Sequence, residues 1–187
     1  MVRAGRGKDA REQYASVAVR VQGWEASTDA SINYAVYAPH AWDSIDNSPL
    51  YAFKIYVTIT GVCLSPAERA GDSYELTMYG EYSQPSRLDA TLKEAQQRDK
   101  FGSPRYRTYR GKQIPVYDPP KGLATIKKVR GQTRWTSWLP VQPHFANDLL
   151  TLLGHQRPLF ISIVEREEGR VHWIQGFSVQ TAAPEED

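Results

Sequence analysis

The densest chemistry in the chain lies between Pro104 and Lys112, where Arg105, Arg107, Arg110 and Lys112 are interleaved with Tyr106 and Tyr109. Guanidinium and ammonium groups pair with phosphates or carboxylates, and tyrosine rings stack on bases or pack on a partner surface. Lys127, Lys128 and Arg130 extend the charge. Residues 98–134 hold eleven Lys/Arg against two Asp/Glu, in a chain whose net formal charge is only +2. Such a segment has two uses: it contacts an anionic or protein partner, or it neutralises the acidic stretches 21–97 and 135–187 of its own molecule.

No other constellation has comparable content. The histidines His40, His144, His155 and His172 are not spaced as metal ligands on a helix face, and Cys63, the single cysteine, cannot join them in a sulfur site. Cys63 stands between Val62 and Leu64 with no marked base, which reads as a structural thiol. Asp43, Asp46 and Asn47 lack the spacing of a calcium loop and read as a capped turn. The glycines near the N-terminus (Gly5 and Gly7) follow no strand, so the physical basis of a dinucleotide fingerprint is missing. Glu165, Glu167 and Glu168 cluster where a hairpin turn is expected, and like charges there stay in water. No catalytic residues, metal or cofactor are expected from these patterns.

The five tryptophans, Trp24, Trp42, Trp135, Trp138 and Trp173, suit a sugar-binding face on a β frame. Trp42 is the ligand-loop candidate because its surroundings are polar, whereas Trp173 shares a face with Val171 and Phe177 and reads as core.

These side chains need a frame, and the hydrophobic periodicity supplies one. A chain of 187 residues buries roughly 70% of its unfolded surface, enough for one domain without cross-links. Residues 1–13 are basic, polar and glycine-containing, and read as a flexible arm. From Ala15 the apolar residues fall on alternate positions (Val17, Val19, Val21), the signature of a half-buried strand, and Ile32, Tyr34 and Val36 repeat it. Ala38–Leu50 is turn-rich. Tyr51–Leu64 and Ser73–Tyr82 alternate strongly across a short Pro/Gly/Asp connection, which predicts an antiparallel hairpin.

Ser86 to Lys100 changes period: Leu88, Leu92 and Ala95 line up at helical spacing, and a short surface helix is expected over about 86–99. Arg105–Tyr109 and Lys112–Tyr117 predict a hairpin turning at Arg110-Gly111, kept short or at an edge by Pro115. Thr133–Leu139 reads as a strand. A second helix is expected over 143–153, with Pro143 in its first turn and Phe145, Leu149, Leu152 and Leu153 on one face. Leu159–Arg166 and Arg170–Thr181 predict a second hairpin, and 182–187 an acidic tail.

The expected architecture is therefore mainly β: an antiparallel β-sandwich or strongly curved sheet over 14–181, carrying two short helices and a basic insertion at 101–134. No stretch approaches the ~18 apolar residues of a membrane span, and no apolar core follows the basic start, so a soluble cytoplasmic protein without a membrane partner is the expectation. The function that fits is a non-enzymatic binding or scaffolding domain whose basic segment recognises a protein partner. Nucleic-acid binding through the same segment is the alternative, and an enzyme with a sequence-dispersed active site is the third reading.

Overall fold

The computed structural model describes residues 13–32, 51–82, 95–118, 120–155 and 157–183. Seven strands close into a barrel in the order β1-β2-β3-β7-β6-β9-β8, and a separate two-stranded ribbon is formed by β4 and β5. The barrel strands are β1 (Gln13–Ile32), β2 (Tyr51–Ser65), β3 (Ser73–Glu81), β6 (Ala124–Lys128), β7 (Arg134–Pro140), β8 (Phe160–Glu168) and β9 (Val171–Gln180). The ribbon strands are β4 (Tyr106–Tyr109) and β5 (Lys112–Pro115), and the α-helix is α1 (Pro143–Leu153).

The mainly-β expectation and the strongly curved sheet hold; the sandwich does not. Closure comes from two pairings that no local pattern announces. β1 pairs antiparallel with β8 from Gln13↔Glu167 to Arg20↔Phe160. β3 pairs with β7 in parallel, from Ser73↔Arg134 to Tyr79↔Pro140. A closed sheet has no free lateral edge at these strands, which a sandwich would leave exposed.

Alternation decides which face each strand buries. Val17 and Val19, then Ile55, Val57, Ile59 and Cys63, then Tyr74, Leu76 and Met78 point inward, joined by Ile126, Trp135, Leu139, Ile161, Ile163 and Ile174. Gly61 allows β1 to close on β2: a Cβ there would sit 2.5 Å from the Arg20 carbonyl oxygen. Beyond Val21 a register irregularity breaks the alternation of β1, and residues 24–30 are exposed on both faces. The strand continues to Ile32 on its ladder with β2, so one 20-residue element replaces the shorter strand expected from Ala15.

Helix α1 follows the expectation in bounds, but not in its whole apolar face: Phe145 and Leu152 are exposed. Pro143 occupies the first turn, where a missing N–H costs nothing, and Ala146, Leu149 and Leu153 are buried. The chain enters it directly from β7, with the Val141 N–H donating to the Tyr79 carbonyl. This places the helix over the end of the barrel where β3 finishes, plugging it with aliphatic side chains. The expected helix over 86–99 is corrected where it is described. Gln96 and Arg98 form isolated bridges with Tyr117 and Pro104, because this stretch runs alongside the base of the ribbon. Residues 86–94 of that expectation lie outside the described residues, as do the arm 1–12, Trp42 with its loop, and 184–187.

Candidate functional site

Three surfaces concentrate functional side chains. The first is the barrel mouth opposite α1. Here Glu165 is 1% exposed, although the sequence reads it as a solvated turn residue. Its inward aim continues the alternation of β8, on which Ile161 and Ile163 are buried. Opposite it β9 carries a β-bulge: Val164 pairs with Gly176 but Glu165 with Ile174, so Gln175 is the extra residue and the inward face of β9 switches. The same bulge corrects the expected face of β9. Ile174 is fully buried and His172 half-buried, while Val171 is exposed and Trp173 is not in the core.

Around Glu165 the mouth is closed by a polar network. Arg69, from the 3-10 turn Ala67–Arg69, donates from Nη1 to Glu165 Oε2 at 2.8 Å and to the Tyr74 hydroxyl at 3.3 Å. Its guanidinium lies 4.3 Å from the Trp135 ring centroid, and Trp135 stacks on Tyr74. His172 Nδ1 approaches Glu165 Oε2 at 3.5 Å. Trp135 Nε1–H donates to Asp72 Oδ2 at 2.9 Å, and Lys128 Nζ reaches the same oxygen at 3.0 Å.

The electrostatics of the mouth follow from these contacts. Burial opposes the charge on Arg69, but hydrogen bonds to Glu165 and Tyr74 outweigh it and hold the guanidinium firmly protonated. Hydrogen bonds from Trp135 and Lys128 keep the Asp72 carboxyl below the usual range. Burial pushes the Tyr74 phenol up, and pushes the Cys63 thiol up to about 11. Each cation has an acidic counterpart: Arg69 with Glu165, Lys128 with Asp72. Cys63 Sγ is turned to the Ser65 carbonyl at 3.1 Å. A protonated, buried thiol is a poor nucleophile.

The second surface is the ribbon. β4 and β5 pair from Tyr106↔Pro115 to Tyr109↔Lys112, with Arg110 (φ 49°) and Gly111 (φ 75°) forming the two-residue turn expected there. Directly paired residues share a face. Arg107, Ile114, Tyr109 and Lys112 therefore lie on one side of the ribbon, and Tyr106, Pro115, Thr108 and Gln113 on the other. Tyr106 and Tyr109 are 55% and 54% exposed, so neither serves a core. Arg105, at the ribbon's base, is steadied by Gln97 Oε1 at 3.2 Å. Among the described residues, the ion pairs of the basic stretch 98–134 are Lys128–Asp72 and the longer Arg134–Glu75 at 3.5 Å. The basic stretch therefore divides in two. Ala124–Lys128 is a barrel strand whose Lys128 neutralises an acid, and Lys127 and Arg130 are exposed on and just beyond that strand. Arg107, Arg110 and Lys112 have no acidic counterpart among the described residues.

The third surface is the outer face of β1, β2, β3 and β7. Register places Glu25, Thr58, Thr77 and Trp138 in one row across the four strands. Tyr56 and Tyr79 fall in the next row, and Thr60 and Glu75 in the row on the other side. A groove of about 570 Å³ runs here, with Trp24 also in its lining. Trp24 is 45% and Trp138 63% exposed. Of the five tryptophans named for a sugar-binding face, Trp138 stands in this outer row, Trp24 is paired with core-facing Ile59 and so falls on the other side of the sheet, and Trp135 is buried in the mouth network.

Among the described residues no group of three or more His, Cys, Asp or Glu is placed to hold a metal ion. No helix of the described chain is long and apolar enough to cross a membrane. No family model, no curated protein and no solved structure matches the chain.

Proposed function

We propose that the protein is a nucleic-acid-binding module that grips a duplex through the β4–β5 ribbon. The observation that carries this reading is the ribbon's surface: Arg107, Tyr109 and Lys112 on one exposed face, Arg105 at the base hydrogen-bonded to the Gln97 amide, Arg110 at the tip, and no acid among the described residues paired with any of the four cations. A two-stranded ribbon fits the major groove of B-form DNA, and guanidinium groups along it meet phosphates or base edges. A protein partner, the first expectation from sequence, is less well served. Tyr and Arg are enriched in protein interfaces too, but such interfaces pack around an apolar centre, and the ribbon offers only Ile114 and Pro115 as aliphatic side chains beside four cations.

The test is binding to duplex DNA, duplex RNA and their single strands at several salt concentrations. If Arg105, Arg107, Arg110 and Lys112 each neutralise one phosphate, log K falls against log salt with a slope of about −3 to −4. Replacing Arg105, Arg107 and Arg110 together by Ala weakens binding and reduces that slope to about −1. Undetectable binding to every nucleic acid at low salt, or a triple variant that binds with the parental slope, would refute the proposal.

A further inference from the structure

The closed stretch of β1 ends at Arg20. β1 is 20 residues long, but its ladder to β8 stops at Arg20↔Phe160, with one further bond from the Val21 N–H to the Leu159 carbonyl at 2.9 Å. Pro158 precedes Leu159 and has no N–H to continue the ladder. After a register irregularity between Val21 and Gly23, β1 runs on to Ile32 paired with β2 alone. Among the described residues no strand lies along its other side there, and every residue from Trp24 to Ala30 is exposed. Such an open edge spans roughly 23 Å, and about half of its N–H and C=O groups point away from β2.

The side chains along this edge are sorted by face. Trp24, Ala26, Thr28 and Ala30 are paired with Ile59, Val57, Ile55 and Phe53 and continue the core side of the sheet. Glu25, Ser27 and Asp29 are paired with Thr58, Tyr56 and Lys54 and continue the outer side. From Gln22 to Ile32 there are two carboxylates and no Lys or Arg. Lys54 stands between Asp29 and Glu81 in one row, so that row keeps a net negative charge. Edge strands are commonly blunted by Lys, Pro or a bulge, and from Trp24 to Ile32 this edge has none of the three. A second copy paired edge to edge would bring two Glu25 and two Asp29 to one seam, and like charges across a seam oppose that pairing.

We infer that this edge takes up an extended cationic peptide of a partner protein as an added strand. Main-chain hydrogen bonds to the open N–H and C=O groups hold the peptide. Its Lys or Arg side chains meet Glu25 and Asp29 on the outer side, and the alternate residues, apolar or small, lie beside Trp24 and Ala26 on the inner side. The acids that turn away a second copy are the ones that select a basic strand. The ligand is a polypeptide backbone, so this surface is separate from the ribbon and its nucleic acid.

The experiment is a titration of ¹⁵N-labelled protein with end-blocked peptides in which lysine alternates with valine, threonine or tyrosine, and with the same peptides carrying glutamate for lysine. At least one lysine peptide is expected to shift the backbone amide signals of Trp24 to Ala30. It should also slow hydrogen exchange at those amides that point away from β2, a protection that loose charge attraction does not give. N-methylation of one alternate set of its amides should abolish binding, and of the other set should not, because only one set faces β1. The charge-reversed variant Glu25→Lys with Asp29→Lys alters exposed side chains only. It should bind the lysine peptide about tenfold more weakly than the parent, and the glutamate peptide more tightly. The Arg105/Arg107/Arg110 triple variant should bind the peptide as the parent does, so failure of one proposal is separable from failure of the other. The inference is overturned if no lysine peptide shifts and protects these amides, if the glutamate peptides bind the parent equally well, or if the charge-reversed variant keeps the parental preference. It is also overturned if the protein alone is a dimer with these amides already protected, which would give the edge to a second copy.

Discussion

Glu165 shows how costly a buried charge is and how the molecule answers it. A carboxylate at 1% exposure loses several kcal/mol of hydration, and Arg69 at 2.8 Å restores it only while both partners are present. Arg69→Ala is expected to destabilise the fold by about 3–5 kcal/mol, read from the midpoint of urea unfolding, because it strands Glu165. The paired change Arg69→Met with Glu165→Leu should recover most of that loss, which separates the need for a partner from the worth of the pair. Asp72 gives the pH counterpart. Its folded carboxyl is held below the unfolded value of 3.8, so its contribution is present above that value and is lost as pH falls through the folded pKa. Asp72→Asn should therefore flatten the acid limb of a stability-versus-pH profile, while leaving an acceptor for the Trp135 N–H. Neither cluster was legible in the chain. Arg69 and Glu165 are 96 residues apart, and although Glu165 continues the inward alternation of Ile161 and Ile163, that period does not say which cation will meet it. Cys63 was legible, since flanking apolar residues already imply a buried thiol.

The elements divide by how local their causes are. Both long hairpins, the helix α1 and the ribbon turn were readable, because alternation, Pro143 and Arg110-Gly111 act within a few residues. β6 was missed. It is five residues long, and only Ala124 and Ile126 point inward, too few to set a period. The same brevity made 101–134 look like one insertion when its second half belongs to the barrel. The ribbon also holds a backbone cost: Arg110 sits at φ 49°, a region that favours glycine or asparagine and costs other residues on the order of 1 kcal/mol. Arg110→Asn should relieve it. Slower amide hydrogen exchange at Tyr109 and Lys112, the hydrogen-bonded pair that flanks the turn, would report a firmer turn, and nucleic-acid affinity would fall as the tip loses its cation. A firmer turn with unchanged affinity would remove Arg110 from the proposed contacts.

At the scale of the molecule, curvature was legible and closure was not. Strong alternation in Tyr51–Ser65 and Ser73–Glu81 demands a one-sided core, and a one-sided core bends a sheet. Which strands then meet depends on partners far apart in sequence, and side-chain period carries no information about partners. The outward row of Glu25, Thr58, Thr77 and Trp138 has the same origin: it exists because β1, β2, β3 and β7 are successive staves. The pairing of Gln13–Arg20 with Phe160–Glu167 has a consequence for the protein's birth. β1 leaves the ribosome well before β8 is made, and must wait for it before the barrel can shut. Until then β1 and β6 each carry an unmatched row of amides and carbonyls, and the nascent chain is an open sheet that the β8–β9 hairpin, or a neighbouring copy, is equipped to complete.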